Sequence, residues 1–227
     1  MPEAEQLVMC MADAAGIATV PHALVQNGGT FAYITKRVDR VFAKSAPVQE
    51  LAMEDFCQLD LRLTQDKYKG SYERCAAILG RYSSRSGLDR TEFFMRAVFS
   101  YLVGNSDMHL KNFSLLETAE ASGEYMLSPA YDLLPVHVFM PEDTEPLALA
   151  LNGKKTHIRR KDWFVFTEHC GISEKSAEKM IAGILARKPA FLALCRESLL
   201  PDDLKASLAA LMEERAADLQ KPAAGIA

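Results

Sequence analysis

Apolar residues recur at helical spacing near the start of the chain. Between residues 4 and 15 they predict an amphipathic helix that ends at Gly16, and its apolar positions are Leu7, Val8, Met11 and Ala15. Two short β-type runs follow, His22–Gln26 and Thr30–Thr35, on either side of Asn27-Gly28-Gly29. Because Asn and Gly tolerate a positive φ angle, this order predicts an antiparallel hairpin.

After residue 40 the pattern becomes almost wholly helical. Asp89 stands three residues before Glu92, which is the spacing of a capping box, and this predicts that a helix starts there. A broad apolar face follows, formed by Phe93, Phe94, Ala97, Val98, Tyr101 and Leu102. Gly104 is the predicted end of this helix, which delivers the chain to Asp107.

Two short strands are predicted after that helix, at Phe113–Leu116 and Tyr125–Leu127, and they form a second hairpin. Beyond Pro146 we expect only helices and loops. Ser173 fits the N-terminal cap of one of these helices, and the last helix begins near Pro201. The fold class predicted from these elements is α+β, predominantly α-helical.

The composition is that of a globular protein, with 227 residues of which 49% are hydrophobic and 25% charged. No apolar run approaches the roughly 18 residues of a membrane span, and the first ten residues lack the basic start of a secretory signal. We therefore expect a cytoplasmic protein. Five scattered cysteines without C-x-x-C spacing argue against both a disulfide framework and a zinc site. The formal net charge of -4 gives no general attraction to nucleic acid, so direct nucleic-acid binding is not expected.

The chemistry of the chain is concentrated between Gly104 and Asp132. Asp107 and Asn112 have the spacing D-x-x-x-x-N, and Asp132 follows at the far end of the second predicted hairpin. In kinases such an aspartate positions the attacking hydroxyl, the asparagine holds magnesium, and a second aspartate holds metal against the phosphates. Two carboxylates and an amide oxygen near a triphosphate form a hard oxygen site that suits Mg2+. The sequence thus predicts a phosphoryl-transfer site.

Each of these residues also has an ordinary structural interpretation. A lone D-x-x-x-x-N is a weak signal, because Asp and Asn are common in turns. Lys111 could be a solvated loop lysine, His109 a core histidine satisfied by the backbone, and Tyr131 a packing residue. We expect Asp132 to be buried among its apolar neighbours, where a carboxylate without a metal or a cationic partner would be costly.

Three stretches together resemble the HipA family of bacterial toxin kinases: Met53-Glu54-Asp55-Phe56-Cys57-Gln58, Gly104 to Ser114, and Tyr131-Asp132. The resemblance continues from the first helix through Arg37-Val38-Asp39-Arg40 to Gly153-Lys154-Lys155-Thr156 and the closing helices. It implies a protein-kinase-like C-terminal lobe and ATP-dependent phosphorylation of serine or threonine.

The resemblance also implies a domain organisation. Residues 1–40 would be a remnant of the N-lobe, with a helix, a small β-hairpin and a hinge. Residues 41–220 would be the helical catalytic lobe, and residues 221–227 a frayed tail.

Individual roles follow from the same resemblance. Asp107 would be the catalytic aspartate, and Asn112 and Asp132 would hold the metal. The implied cofactors are ATP and Mg2+. Contacts to the cofactors are implied for Lys36, Arg37, Val38, His109, Lys111, Asn112, Tyr131 and Asp132, where the first three form the hinge whose backbone meets adenine.

A kinase also needs a glycine-rich loop over the phosphates and a lysine on a preceding strand. The chain contains no G-x-G-x-x-G, and its first basic residue is Lys36, already at the implied hinge. In the family the nucleotide-binding strands would lie upstream of residue 1, and Glu3 or Glu5 would pair with their lysine. A separate N-lobe polypeptide is therefore one candidate partner.

Two functions are consistent with this sequence. In the first, the chain is the catalytic lobe of a HipA-like serine/threonine kinase that acts on a protein substrate as the toxin of a toxin–antitoxin system. In the second, it is a non-catalytic remnant that binds an antitoxin. By resemblance the antitoxin would be a small DNA-binding protein, and a small-molecule kinase remains a further alternative.

A basic run precedes Trp163 and contains Lys154, Lys155, His157, Arg159, Arg160 and Lys161. We interpret it as a solvated loop. Contact with nucleic acid, an acidic antitoxin or a phosphorylated segment is the other interpretation.

Overall fold

The computed structural model describes residues 1–42 and 47–221. Its helices are α1 Pro2–Ala15, α2 Phe56–Leu59, α3 Tyr72–Tyr82, α4 Ser86–Val103, α5 Val136–Phe139, α6 Arg160–Cys170, α7 Glu174–Ala186, α8 Lys188–Glu197 and α9 Asp202–Gln220. Its strands are β1 His22–Asn27, β2 Thr30–Thr35, β3 Arg40–Val41, β4 Gln49–Glu50, β5 Met53–Asp55, β6 Ser114–Glu117 and β7 Tyr125–Leu127. Two short 3-10 turns lie at Thr64–Asp66 and Leu110–Asn112. Most of the predicted tail, residues 222–227, lies outside the described residues.

The N-terminal part consists of α1 and an antiparallel hairpin, as predicted. Helix α1 ends at Gly16, whose φ of 82° is in the left-handed region that favours glycine. Strands β1 and β2 are joined by Gly28-Gly29 and pair from His22 with Thr35 to Asn27 with Thr30. One face of this two-stranded ribbon is exposed and apolar, and its members are Ala23, Val25, Ala32 and Ile34.

A three-stranded antiparallel sheet, in the order β5-β6-β7, lies beside the loop that contains Asp107. The predicted hairpin of β6 and β7 is confirmed, with Leu115 opposite Leu127. Strand β5 was not expected, because the chain after residue 40 was predicted to be almost wholly helical. Three residues are too few to show a strand period, and β5 exists because Met53 pairs with Leu116 and Asp55 with Ser114.

Helix α4 ends at Gly104 as predicted, with a φ of 73°, but the prediction of its start is wrong. The helix begins at Ser86, so Asp89 lies inside the first turn and does not cap the helix. Its buried carboxylate instead accepts hydrogen bonds from Ser83 Oγ at 2.6 Å and from the backbone N–H of Leu127 at 2.7 Å. Asp89 therefore attaches α4 to β7. Its local sequence resembles that of a helix cap and does not reveal this role.

The C-terminal part is helical, as predicted. The Ser173 hydroxyl caps α7 by accepting from the backbone N–H of Ser176, and Pro189 lies in the first turn of α8, where its missing N–H costs nothing. Helix α9 begins at Asp202. All five cysteines are free, and four of them are buried.

An aromatic cluster forms the part of the core that lies nearest to the loop with Asp107. The rings of Phe93 and Phe113 pack edge to face with centroids 4.8 Å apart, and Phe56, Tyr72 and Phe166 surround them. Full burial of such a side chain stabilises the fold by about 1.5–3 kcal/mol. Because Phe113 directly follows Asn112, this cluster anchors the candidate site to the core. Trp163 packs elsewhere in the core, edge to face against Tyr101 of α4.

Candidate active site

The loop after α4 is built around Asp107. The Asn105 side chain accepts the backbone N–H of Asp107 at 3.3 Å, while the backbone carbonyl of Asp107 accepts the N–H of His109 at 2.8 Å. The 3-10 turn Leu110–Asn112 follows directly. These local bonds fix the backbone of Asp107 and leave its half-buried carboxylate at the surface of the loop.

Asn112 connects this loop to Asp132. Its Nδ2 donates to Asp132 Oδ2 at 2.9 Å and to the backbone carbonyl of Asp107 at 3.5 Å, and the side chain is buried. The three residues predicted to form the phosphoryl-transfer site are therefore brought together by one amide group.

Asp132 itself departs from expectation. It was expected to be buried, but it is exposed and has a φ of 57°, an uncommon left-handed conformation that Asp tolerates better than most residues. Its apolar neighbour Leu133 is buried instead. Enough protein surrounds the Asp132 carboxylate that desolvation, followed by the negative charge of Asp107, raises its pKa.

The fit of this site to a cation can be judged from these charges. The described residues contain no cluster of three or more His, Cys, Asp or Glu side chains with metal-binding geometry. The candidate site contains the mutually repelling carboxylates of Asp107 and Asp132 and the amide of Asn112. Because the Asn112 Nδ2 is bonded to Asp132, the amide oxygen is the atom that could bind a metal. Such a set suits a hard divalent cation such as Mg2+, which would relieve the repulsion.

His109 and Lys111 occupy different environments. His109 is buried, as the alternative interpretation of a core histidine requires, but its Nδ1 has no hydrogen-bond partner among the described residues. Desolvation lowers the pKa of His109, although the charge of Asp107 acts in the opposite direction. Lys111 is half-buried, and its ammonium group lies 2.5 Å from Asp55 Oδ2. It therefore connects the loop to β5.

Tyr131 both packs and hydrogen-bonds. Its hydroxyl donates to the backbone carbonyl of Lys111 at 3.0 Å and lies 2.6 Å from Ser114 Oγ. Burial raises the pKa of Tyr131 to about 12, so the phenol stays protonated at neutral pH.

The implied hinge lines a cavity of about 300 Å3 beside Tyr131. Lys36, Arg37 and Val38 directly follow β2, and the other lining residues of this open cavity are Val20, Thr35, Asp39, Met53 and Tyr131. The backbone N–H of Lys36 is already donated to the Pro21 carbonyl at 2.9 Å. The Arg37 guanidinium is paired with Asp39 and lowers the pKa of that buried carboxyl. The charge of the Arg37 side chain is therefore already paired with a neighbouring residue that also lines the cavity.

Glu3 and Glu5, the two candidate partners of the strand lysine, have different surroundings. Glu3 lies 3.4 Å from the N-terminal amine of Met1. Glu5 is half-buried, and desolvation together with the charge of Asp132 raises its pKa to about 7. A raised pKa of this size indicates an acidic group without a cation beside it.

Tyr68 is the functional candidate that sequence reasoning missed. Its hydroxyl donates to Asp107 Oδ1 at 2.5 Å. It lies in a loop between two lysines, 39 residues before Asp107, so no spacing or periodicity could have connected the two. Asn105 and Asp55 were also missed as supporting residues, since their roles depend on contacts that only the fold creates.

The basic run before Trp163 is partly tied to acidic residues. Lys154 lies 2.6 Å from the buried carboxylate of Asp162, and Lys155 lies 2.9 Å from Glu145. Arg160 donates to the backbone carbonyl of Leu219 at 2.6 Å. The interpretation as a solvated loop is therefore only partly correct, because these three side chains are paired and Arg160 and Lys161 lie within α6. In the described part of the chain, no helix is long and apolar enough to cross a membrane.

Comparison with known proteins gives one matching family and several relatives. The family model described as the HipA-like C-terminal domain matches residues 1–190. Two proteins of Sinorhizobium fredii named as candidate kinases, Y4mE and Y4dM, are 28% identical over 190 residues and 36% identical over 142. These matches cover 81% and 62% of this chain but only 44% and 32% of the relatives. The chain therefore spans less than half the length of these two proteins.

Two solved structures have a similar fold. One is a chain of the complex of the Shewanella oneidensis toxin–antitoxin system HipA, HipB and operator DNA, with a TM-score of 0.81 and 20% identity over 96% of this chain and 55% of that one. The other is the Helicobacter pylori proinflammatory kinase CtkA, with a TM-score of 0.66 and 15% identity over 94% of this chain and 79% of that one. At these identities the likeness concerns the fold. The predicted class, α+β and mostly helical with the form of a kinase C-terminal lobe, is confirmed.

Proposed function

The chain belongs to the HipA family through its HipA-like C-terminal domain, and on this premise we propose that it is the catalytic lobe of a protein serine/threonine kinase. The reaction would transfer the terminal phosphoryl group of ATP to a hydroxyl of a protein substrate. In the assembled kinase, residues 1–40 would belong to the nucleotide-binding lobe and residues 41–220 to the catalytic lobe.

The observation that carries this proposal is the bridge made by Asn112. One buried amide joins the Asp132 carboxylate to the backbone of the Asp107 loop, and the charge of Asp107 raises the pKa of Asp132, which supports a shared site for the two carboxylates. Asp107 would orient the attacking hydroxyl and accept its proton, while Asn112 and Asp132 would hold Mg2+. When bound, the ion would offset the charge that builds up on the transferring phosphoryl group.

The adenine ring would occupy the cavity beside Tyr131. Its lining includes the apolar side chains of Val20, Val38 and Met53, which suit a flat aromatic base. Because the Lys36 N–H is bonded to Pro21, the hinge contacts would come from the Lys36 carbonyl and from the backbone N–H groups of Arg37 and Val38. His109 and Lys111 would add contacts on the nucleotide side.

We propose that a further lobe, in the same polypeptide or a separate one, completes the site. The relatives are longer than the matched region, and Glu5 forms no ion pair with a described residue. A lysine from such a lobe would pair with Glu5 and hold the phosphates. The exposed apolar face of the hairpin, with Val25 and Ile34, is a surface on which further strands could pack.

A partner is suggested by one relative. The Shewanella structure contains HipA with HipB and operator DNA, and we propose that the present protein likewise acts as a toxin held by a small DNA-binding antitoxin. The alternative is a non-catalytic remnant that keeps the antitoxin-binding role only. The carboxylates of Asp107 and Asp132 favour the enzyme, because they repel each other and serve no purpose in a scaffold.

A phosphotransfer assay tests the proposal. The chain is expressed together with the proposed further lobe, as one polypeptide or as two, and incubated with Mg2+, terminally labelled ATP and a serine-rich protein substrate. We expect label on serine or threonine in the parent and none with Asp107→Ala, at a nearly unchanged melting temperature. Asp203→Ala, in the exposed first turn of α9, is the matched control and should retain activity. Retained transfer in Asp107→Ala would contradict the assignment of Asp107.

The chain alone should bind ATP weakly, with a Kd of about a millimolar or higher, because its sequence contains no glycine-rich loop to cover the phosphates. Calorimetry with and without Mg2+ measures this affinity. A micromolar, Mg2+-dependent Kd for residues 1–227 would show that no further lobe is needed.

A further inference from the structure

We propose that Tyr68 is a positioning residue for phosphoryl transfer: its hydroxyl holds one oxygen of the Asp107 carboxylate, so that the other oxygen faces the substrate hydroxyl. This inference rests on the proposed kinase function and adds to it a residue outside the D-x-x-x-x-N loop.

The contact itself is short and specific. Tyr68 Oη lies 2.5 Å from Asp107 Oδ1, a distance typical of a hydrogen bond from a neutral hydroxyl to an ionised carboxylate. Among the described residues, Tyr68 is the donor to this carboxylate, because Asn105 and His109 bond only to the Asp107 backbone. The orientation of the carboxylate therefore depends on Tyr68, while the path of the loop does not.

Several contacts hold Tyr68 in place, although 42% of its surface is exposed. The backbone carbonyl of Lys67 accepts the N–H of Leu110 at 3.1 Å, which attaches this segment to the 3-10 turn of the candidate site. The Tyr68 ring packs edge to face against His109 with centroids 5.0 Å apart, and the Lys67 ammonium lies 4.9 Å from the ring centroid. A side chain fixed in this way can orient its partner.

The fixed carboxylate has a chemical use. An aspartate with two free torsions presents either oxygen at random, and catalysis improves when the reacting group is held in one orientation. Desolvation and the bond to Asp107 raise the pKa of Tyr68 to about 12, so the phenol keeps its proton and remains a donor at neutral pH. Oδ2 is then the oxygen left to receive the proton of the substrate.

One other role would give the same contact. The Tyr68 hydroxyl could occupy the place of the substrate hydroxyl on Asp107, in which case it would compete with the substrate. The two roles predict opposite effects of removing the hydroxyl. Loss of positioning lowers kcat, whereas loss of competition lowers KM or raises kcat.

Tyr68→Phe separates them in the kinase assembled with the further lobe. We expect kcat to fall about tenfold while KM for the protein substrate stays within about twofold, since a positioned acid–base group contributes about 100-fold or more and would be only partly lost. Tyr82→Phe, at the exposed end of α3, is the matched control and should leave both constants unchanged. Equal melting temperatures of the two variants would exclude a folding defect.

Several results would overturn the inference. Unchanged constants, a several-fold lower KM, or a phosphate found on Tyr68 by mass spectrometry would each exclude a positioning role. If the parent shows no transfer at all, the kinase proposal and this inference both fail. If the parent is active and Tyr68→Phe is equally active, only this inference fails.

A second measurement needs no activity. In the chain with isotope-labelled tyrosine, the ring resonance of Tyr68 is assigned by its loss in Tyr68→Phe. We expect Asp107→Asn to shift this resonance while that of Tyr82 stays in place. An unmoved Tyr68 resonance would show that the hydroxyl does not bind Asp107, and would overturn the inference.

Discussion

Replacing Glu5 by Gln should stabilise the protein above pH 7 and have little effect near pH 4. Glu5 is half-buried and close to the charge of Asp132, and these surroundings raise its pKa from its ordinary value of 4.5 to about 7. At pH 4 the group is protonated in both the folded and the unfolded chain. As the pH rises toward 7, the unfolded chain releases the proton first, so the free energy of unfolding falls until the folded group ionises as well.

The magnitude follows from the shift. Each unit of pKa corresponds to about 1.4 kcal/mol, and so the full shift would correspond to about 3 kcal/mol. Because Glu5 is only half-buried, solvent screening reduces this to about 1–2 kcal/mol. Gln cannot ionise and avoids this cost. For a chain of this size, the gain equals a rise in melting temperature of about 3–6 °C at pH 8.

The assay is thermal and urea unfolding of the parent and the variant in steps from pH 4 to pH 8. Glu3→Gln is the matched control, because Glu3 lies in the same first turn of α1 and shares its favourable interaction with the helix dipole. That variant should lose a few tenths of a kcal/mol at every pH above 5. The reasoning is refuted if the Glu5→Gln and parent curves run parallel from pH 4 to pH 8, or if Glu3→Gln gives the same gain.

Three further predictions concern the helix end, the candidate site and the core. Gly104→Ala should lower the free energy of unfolding in urea by about 2–3 kcal/mol, because its φ is 73° and the new methyl would meet a leucine of α9. Gly16→Ala, with a similar φ but in open space, is the control and should cost about 1 kcal/mol. Equal losses in the two variants would contradict this reasoning. Asp132→Asn should raise the melting temperature measured without Mg2+, since it removes a desolvated charge. The same variant should abolish any rise in melting temperature that millimolar Mg2+ gives the parent. A retained Mg2+ response would exclude Asp132 as a ligand. Asp89→Asn should cost about 2 kcal/mol in urea unfolding, because an amide has one acceptor oxygen in place of the two that accept from Ser83, Arg85 and the Leu127 N–H. A loss below about 0.5 kcal/mol would show that these buried hydrogen bonds are unimportant.

Local signals predicted much of the fold. Gly16 and Gly104 end their helices where the sequence places them, because a left-handed φ is a property of one residue. Strand β5 was missed and the start of α4 was misplaced, because both depend on contacts with distant strands. The β5 strand depends on β6, some 60 residues later, and Asp89 is held by β7. Contacts of this range leave no trace in local spacing.

The same division holds for the candidate site. Asp107 and Asn112 share one loop, and a short hairpin brings Asp132 back to them, so spacing was sufficient to predict that they meet. The exposure of Asp132 was not predictable from its apolar neighbours, since its left-handed φ turns the chain at that residue. Tyr68 reaches Asp107 only through tertiary structure.

The position of the single tryptophan affects how unfolding of this protein can be observed. Trp163 is 1% exposed and packs edge to face against Phe94 and Tyr101, both in α4. Its fluorescence therefore reports on the junction of α4 and α6, and not directly on α1 and the hairpin. If the N-terminal part opens by itself, far-ultraviolet circular dichroism would detect the change before fluorescence does. Coincident transitions by the two probes would show that both parts unfold as one cooperative unit.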